Sequence, residues 1–251
     1  MTLRARAYET YHLAKYSCTD KTGCRGFLTM SVDFEMIKDS ATVKREIMGM
    51  NALLEFSQKH NFSMTFAVVG KIIEKDGSLI DRIIQANPRN EIGSHTYSHK
   101  FFNEISMHEA RDEISKSSEI LASNGIRPMS FVFPRNIVKY LELLEESGFL
   151  CFRSFRKQKH ALSLPRKRGR LWEMPQSLFV SSERNPGPLV SMAGIAKRKG
   201  LQLHLWCHPY NWGNSPTSEI ERVLGPLAEY CKRNGMRIMT MKEAAEFCES
   251  D

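Results

Sequence analysis

The sequence predicts an α/β fold. Short apolar runs alternate with longer amphipathic ones along most of the chain. The amphipathic runs tend to end at Gly, Asn or Pro, the residues that stop helices. Strands alternating with helices imply parallel pairing, because parallel neighbours need a crossover connection. On these grounds a doubly wound open sheet and a barrel both fit.

The elements follow in order. Gly26 to Phe34, GFLTMSVDF, is apolar and β-prone. Ala41 to His60 has helical periodicity, with Val43, Ile47, Met50 and Leu54 on one face. Met64 to Gly70 reads as a strand with a glycine stop, and Gly77 to Asn87 as a short helix ended by Pro88. Asn90 to His95 is a short third strand. Ser106 with Glu109 three residues on forms a capping box, so a helix should run from there to about Ser123. Met129 to Pro134 is the next strand, Ile137 to Gly148 a helix, and Phe149 to Phe155 a strand. Leu171 to Phe179 is partly extended, and Leu201 to Pro209 is a strand ending at proline. A helix from Ser218 to Gly235 carries Pro226, a kink candidate. Met236 to Met239 is the last strand, and Thr240 caps a closing helix through Phe247.

One domain over residues 1–251 is expected, with 41% apolar residues to build its core. The formal charge of +8 is a modest bias toward anionic partners. Eight cations between Arg153 and Arg170 have no acid among them, which reads either as a solvated loop or as a wall attracting phosphate or an anionic lipid surface. Arg166, Lys167 and Arg168 are the candidate anion contacts within it. No recognition helix, zinc finger or aromatic RNA-binding strand accompanies the charge, so nucleic acid is not an expected partner. Nor is there a GxGxxG or GxxxxGK[ST] motif. The six cysteines, including Cys18 and Cys24, fit no common zinc knuckle and read as reduced thiols. Neither a secretory signal nor an apolar stretch of membrane-spanning length is visible, so a cytoplasmic location is expected, with peripheral membrane contact left open. The oligomeric state is open.

Three segments carry chemistry. HTYSH sets His95 and His99 four apart, on one face if helical, and imidazole is a good ligand for zinc. SVDFE ends an apolar strand with Asp33 and Glu35 two apart, hence on the same side of an extended chain. One carboxylate can hold a metal while the other handles a proton. LHLWCHPYNW puts His208 at a strand end beside Pro209; His204, inside the strand, reads as a packed histidine.

Taken together, SVDFE, EIGSHTYSH, FVFPRN, LWEMP and WCHPYN resemble the polysaccharide deacetylases, the carbohydrate-esterase-like family sharing the NodB homology domain. The resemblance covers a core of about residues 26–239. It implies a distorted, TIM-like (β/α) barrel of about seven strands. It implies a metal-dependent hydrolase acting on carbon–nitrogen bonds other than peptide bonds, which removes an acetyl group, N-linked rather than O-linked, from a carbohydrate. One divalent ion is implied, with zinc expected, held by His95, His99 and Glu35. Asp33 is then the base and His208 the general acid, with the reverse assignment of Asp33 and Glu35 left open. Arg135, Trp172, Tyr210 and Asn211 fall in the matching segments as expected substrate or oxyanion support.

The chain departs from the family pattern at three places. Phe34 follows Asp33, with Glu35 next, where two adjacent aspartates are commonest. Val132 stands where an arginine is usual, and Arg168 and Arg170 precede Trp172 where an acid is usual. The expected substrate is an acetylated sugar, nucleotide-linked or lipid-linked, in surface-polysaccharide assembly. The alternative is a catalytically silent carbohydrate-binding or scaffold protein on the same fold.

Overall fold

The computed structural model describes residues 26–35, 40–155, 162–212 and 214–250. The expectations for Cys18 and Cys24, and for Arg156, Lys157 and Lys159 of the basic stretch, fall outside them. The strands are β1 (Phe27–Phe34), β2 (Thr65–Val68), β3 (Glu91–Ser94), β4 (Ser130–Val132), β5 (Cys151–Ser154), β6 (Arg166–Arg168), β7 (Leu171–Pro175), β8 (Leu178–Phe179), β9 (Gln202–Cys207) and β10 (Arg237–Met239). The helices are α1 (Ser40–His60), α2 (Gly70–Lys75), α3 (Ser78–Ala86), α4 (Met107–Ser123), α5 (Leu141–Glu146), α6 (Pro186–Lys199), α7 (Pro216–Asn234) and α8 (Met241–Ser250). None of them is long and apolar enough to cross a membrane.

One mixed sheet runs β6-β7-β5-β4-β3-β2-β1-β9-β8. Every pairing is parallel except β6 with β7. The sheet is a curled, incomplete barrel, which bears out the expected α/β barrel class. Its path ends at β6 and β8, and an isolated bridge between Ser163 and Gln202 ties the segment before β6 to β9. β10 shares an edge of β1 with β2: it pairs with Phe27 to Thr29, and β2 takes Ser31 to Phe34. Ten strands among the described residues replace the expected seven or so: β6 is new, and the extended segment expected over Leu171 to Phe179 splits into β7 and β8.

Parity along β1 divides two environments. Leu28, Met30, Val32 and Phe34 pack into the largest apolar cluster, with Met50, Leu53 and Leu54 of α1. Burying each such side chain contributes about 1.5–3 kcal/mol. The alternate residues Thr29, Ser31 and Asp33 are also buried, but with polar company: Thr65, Arg153, Gln202 and His204 are all below 1% exposed. The barrel interior therefore holds a buried polar group beside the apolar Phe27, Ala67, Val132, Cys151 and Met174. α8 covers the other end, where Met241, Ala244 and Ala245 join Phe27, Val132, Cys151 and Met174.

Local rules explain most boundaries. The Ser106 and Glu109 side chains close the capping box on α4, and Thr240 and Glu243 do the same for α8. The expected helix from Ile137 begins only at Leu141, because Tyr140 takes a left-handed φ of 57°. Gly70 opens α2 rather than merely ending β2. α6 went unread: Pro186, Gly187, Pro188 and Gly194 obscure its periodicity, although Asn185 caps it through the Gly187 N–H at 3.0 Å.

Gly49 shows how tightly α1 sits on the site. A Cβ there would stand 2.0 Å from the Pro209 carbonyl oxygen, in the turn immediately after His208. Ala for Gly inside a helix normally gains about 1 kcal/mol. Here the overlap should reverse the sign, and Gly49→Ala should lose about 1–3 kcal/mol. Urea unfolding of the two proteins measures the difference; a stabilised variant would contradict this packing.

Candidate metal and proton-transfer site

The site lies where β1, β3 and β9 end. β1 delivers Asp33 and Glu35, β3 is followed at once by His95, and β9 by His208. All four are brought together, as is His99.

Asp33 and Glu35 have different partners. The Arg153 guanidinium donates to both oxygens of Asp33, Nη1 to Oδ1 and Nη2 to Oδ2, each at 2.6 Å. Two further Arg153 donors are also used: Nη1 donates to Ser31 Oγ at 3.0 Å and Nε to Asn136 Oδ1 at 3.0 Å. Its carbon lies 4.8 Å from the Trp206 ring centroid. Burial alone would raise the Asp33 pKa, but the Arg153 charge and hydrogen bonds, with the nearby His95 and His208, together outweigh it and hold the carboxyl below its ordinary range.

Arg153 occupies an informative register position. It is the Cα partner of Val132 across β4 and β5. Paired residues on neighbouring strands face the same side. The guanidinium expected at Val132 is thus supplied one strand away. Arg153 is fully buried, so it does not belong to the solvated basic stretch in which the sequence places it.

Glu35 faces imidazoles. Its Oε1 lies 3.1 Å from Nε2 of His99, 3.1 Å from Nε2 of His208 and 3.5 Å from Nε2 of His95. His95 Nδ1 sits 2.7 Å from the Val132 carbonyl oxygen, which only accepts, so Nδ1 carries the hydrogen. That leaves His95 Nε2 with a free lone pair. Nε2 of His95 and Nε2 of His99 are buried without a hydrogen-bond partner. Their contacts with Glu35 are close but lack hydrogen-bond geometry. Burial would raise the Glu35 pKa, yet the three imidazoles hold it far below the carboxylate range.

These donors fit a divalent cation. Glu35, His95 and His99 offer three ligand atoms within 4.8 Å of one another. Tetrahedral zinc with bonds of about 2.0–2.1 Å places neighbouring ligand atoms about 3.3 Å apart, close to the Glu35–imidazole separations. Asp33, Glu35 and His208 form an overlapping second group. Asp33, however, has both oxygens engaged by Arg153.

The two histidines of HTYSH converge by a route the sequence did not indicate. The segment is a loop, not a helix, and Thr96 and His99 adopt positive φ of 66° and 62°. Thr96 Oγ1 accepts from the His99 N–H at 2.9 Å. Glu113 of α4 anchors the loop, accepting from the Ser98 N–H at 2.7 Å and from its hydroxyl. A β-branched residue at positive φ is costly and persists where such contacts over-determine it.

The other expected residues divide. His208 stacks on Tyr210 with centroids 4.8 Å apart, and Asn211, inside the turn Pro209–Trp212, donates its backbone N–H to the His208 carbonyl oxygen at 3.1 Å. Arg135 lies over Phe101, which packs edge-on against His99. Trp172 sits elsewhere. It pairs with Cys151 at the starts of β7 and β5, and its indole N–H donates to Glu249 on α8. That is the opposite end of the strands, so Trp172 cannot support a substrate at His208. His204 is buried, with Nε2 3.0 Å from Ser31 Oγ; burial, aided by the Arg153 charge, lowers its pKa to about 3 and keeps it neutral. Arg166 and Arg168 both donate to Glu173, and Lys167 pairs with Glu249. These cations therefore already have carboxylate partners in the β6–β7 hairpin and α8. Arg153, Asn136 and Glu113 were missed, because each reaches the site through tertiary contact.

Comparison with known proteins bears on part of the sequence and on the fold. The polysaccharide deacetylase family model matches residues 48–142. A peptidoglycan-N-acetylglucosamine deacetylase of Bacillus cereus is 34% identical over 93 residues, 37% of this chain. The match spans about a third (32%) of that relative's length. A Mycobacterium smegmatis structure assigned to the polysaccharide deacetylases superposes with a TM-score of 0.68 at 20% identity, covering 94% of this chain and 93% of that one. PuuE allantoinase also superposes with a TM-score of 0.68, at 13% identity over 90% and 91% of the two chains. At such identities these two share the fold.

The Asp33–Arg153 pair gives a stability prediction. Arg153→Ala would leave a buried carboxylate unpaired and should cost about 3–5 kcal/mol at neutral pH. Because the pair lowers the folded pKa of Asp33, its stabilisation is present above the unfolded carboxylate pKa. It is lost as pH falls through the folded value. The difference between wild type and variant should therefore shrink on acidification from neutral pH. Denaturant unfolding across pH checks it; a pH-independent gap would rule out this linkage.

Proposed function

We propose that this chain, related to the polysaccharide deacetylases in sequence over residues 48–142 and in fold, removes an acetyl group from a carbohydrate or sugar-linked precursor. The reading favours an N-linked acetyl and one divalent ion, zinc, held by Glu35, His95 and His99. The observation that carries it is the convergence of two partnerless buried imidazole nitrogens on the Glu35 carboxylate. Such an ion supplies Lewis acidity, activating water and polarising an acyl carbonyl.

The chain's own groups then divide the proton work. Asp33 stays ionised beside Arg153 and accepts a proton from the attacking water. A carboxylate has about four lone-pair sites, so two bonds from Arg153 leave acceptor capacity. Arg153 also fixes the orientation of that carboxylate, since four of its contacts are made at once. On the other side, His208 Nε2 donates a proton to the departing nitrogen or oxygen. Tyr210, stacked on His208, limits the ring's rotation. His204 is too basic-poor and too buried for that role. The aromatic side chains Phe179, Trp206 and Tyr210 around His208 suit the face of a sugar ring.

Two measurements test the reading. Protein purified without chelator should carry about one divalent ion per chain, and His95→Ala/His99→Ala should carry almost none. His208→Ala should retain the ion while losing about 10²–10⁴-fold in kcat for acetate release. Asp33→Asn should also keep the ion and lose activity. If the ion leaves with Asp33→Asn and stays with Glu35→Gln, the two carboxylates exchange roles. Equal, negligible metal in wild type and the double-histidine variant after reconstitution defeats the metal assignment.

A further inference from the structure

A second cavity opens beside the site, on the helical side of the sheet. It has a volume of about 280 Å³ and reaches Glu35. That is near the lower edge of the ~300–1,000 Å³ common for small-molecule pockets. Its walls are apolar: Phe34, Met50, Val69, Ile72 and Leu79 line it. Ile47 completes the wall and is 41% exposed. The periodicity of α1 assigns Ile47 to the buried face, beside Met50 and Leu54. It lies uncovered because that part of the face borders this cleft instead of another helix.

The rim has the opposite character. Lys71, Lys75 and Arg82 line it. Lys71 and Lys75 are four apart on α2, where like charges are unfavourable neighbours. Neither has an ion-pair partner among the described residues. Glu74 between them is turned to Tyr97 and Lys116. Asp76, the acid at the rim, accepts from the N–H and hydroxyl of Ser78. Arg82 donates to Asn51. Lys71 Nζ lies 5.4 Å from the Tyr97 ring centroid. An apolar slot whose mouth carries cations with no carboxylate partner among the described residues is complementary to a chain that bears an anionic head.

We infer that this cleft binds the phosphate and the first apolar carbons of an amphiphilic, lipid-linked substrate, with the acetylated sugar directed toward Glu35 and His208. The inference rests on the hydrolase reading for the direction of the sugar. The cations of the β6–β7 hairpin do not serve this purpose, since each is already engaged by Glu173 or Glu249. Lys71 and Lys75 take over the phosphate contact that the sequence assigns to Arg166, Lys167 and Arg168.

Octyl phosphate, octanol and inorganic phosphate serve as probes, titrated calorimetrically against the full chain below the micellar concentration. Octyl phosphate should bind at least about tenfold more tightly than either fragment. Lys71→Ala/Lys75→Ala should weaken octyl phosphate by about five- to tenfold, as two half-solvated contacts would, and leave octanol unchanged. Ile47→Asp should weaken octyl phosphate and octanol together. Octyl phosphate affinity that is indifferent to both variants overturns the inference, as does inorganic phosphate binding as tightly as octyl phosphate. Acetate release from a small neutral acetylated sugar is followed in parallel, and both variants should match wild type. If wild type releases no acetate from any acetylated sugar, the hydrolase reading fails, while the titrations still judge the cleft.

Discussion

Charge buried at the centre of a barrel constrains everything around it. Arg153 and Asp33 are both almost inaccessible to solvent. Taking such ions out of water costs several kcal/mol each unless geometry and further hydrogen bonds compensate. Here the fork of the guanidinium meets both carboxylate oxygens, and its other donors reach Ser31 and Asn136. Asn136 gets there because Arg135 and Asn136 both take a φ of 55° directly after Pro134. Ser31 must be small and hydroxylated, since it also meets His204. Ser31, Asn136 and His204 are gathered around this one pair, on the face of the sheet that Ala67, Val132 and Met174 share.

The same pair separates the two carboxylates of β1. They are two residues apart and similar in sequence context. Arg153 occupies Asp33, so Glu35 is the one left to the histidines. Each acid is held ionised by a different kind of partner, a fixed guanidinium and a set of imidazoles. Two carboxylates set apart by their partners in this way are the arrangement that acid–base chemistry near a cation requires.

The histidines are placed by strain that other contacts hold in position. The loop after β3 contains two non-glycine residues at positive φ, and α4 reaches over to pin it through Glu113. The capping box that starts α4 therefore has a consequence beyond helix stability, because it fixes the helix carrying that anchor. On the far side, the turn after His208 packs so closely on α1 that only glycine fits at position 49. His95, His99 and His208 thus sit on or beside segments that neighbouring elements hold in place.

The sequence by itself determined the repeating strand and helix pattern, the ends of β1 and β9, the caps of α4 and α8, and the residues Asp33, Glu35, His95, His99 and His208. These are local properties: periodicity, capping chemistry and strand-end position are written within a few consecutive residues. Tertiary structure alone decided that Arg153 replaces the guanidinium missing at Val132, because the register between β4 and β5 pairs residues 132 and 153, far apart in the chain. It decided that Trp172 faces α8 and not the site, since strand direction in the sheet, not nearness to a motif, sets which end a side chain reaches. It engaged the cations of the basic hairpin with Glu173 and Glu249, and left Ile47 open to a cleft that helical periodicity alone would have closed. In each case the deciding partner lies on another element, and no pattern within one segment specifies which segment will stand beside it.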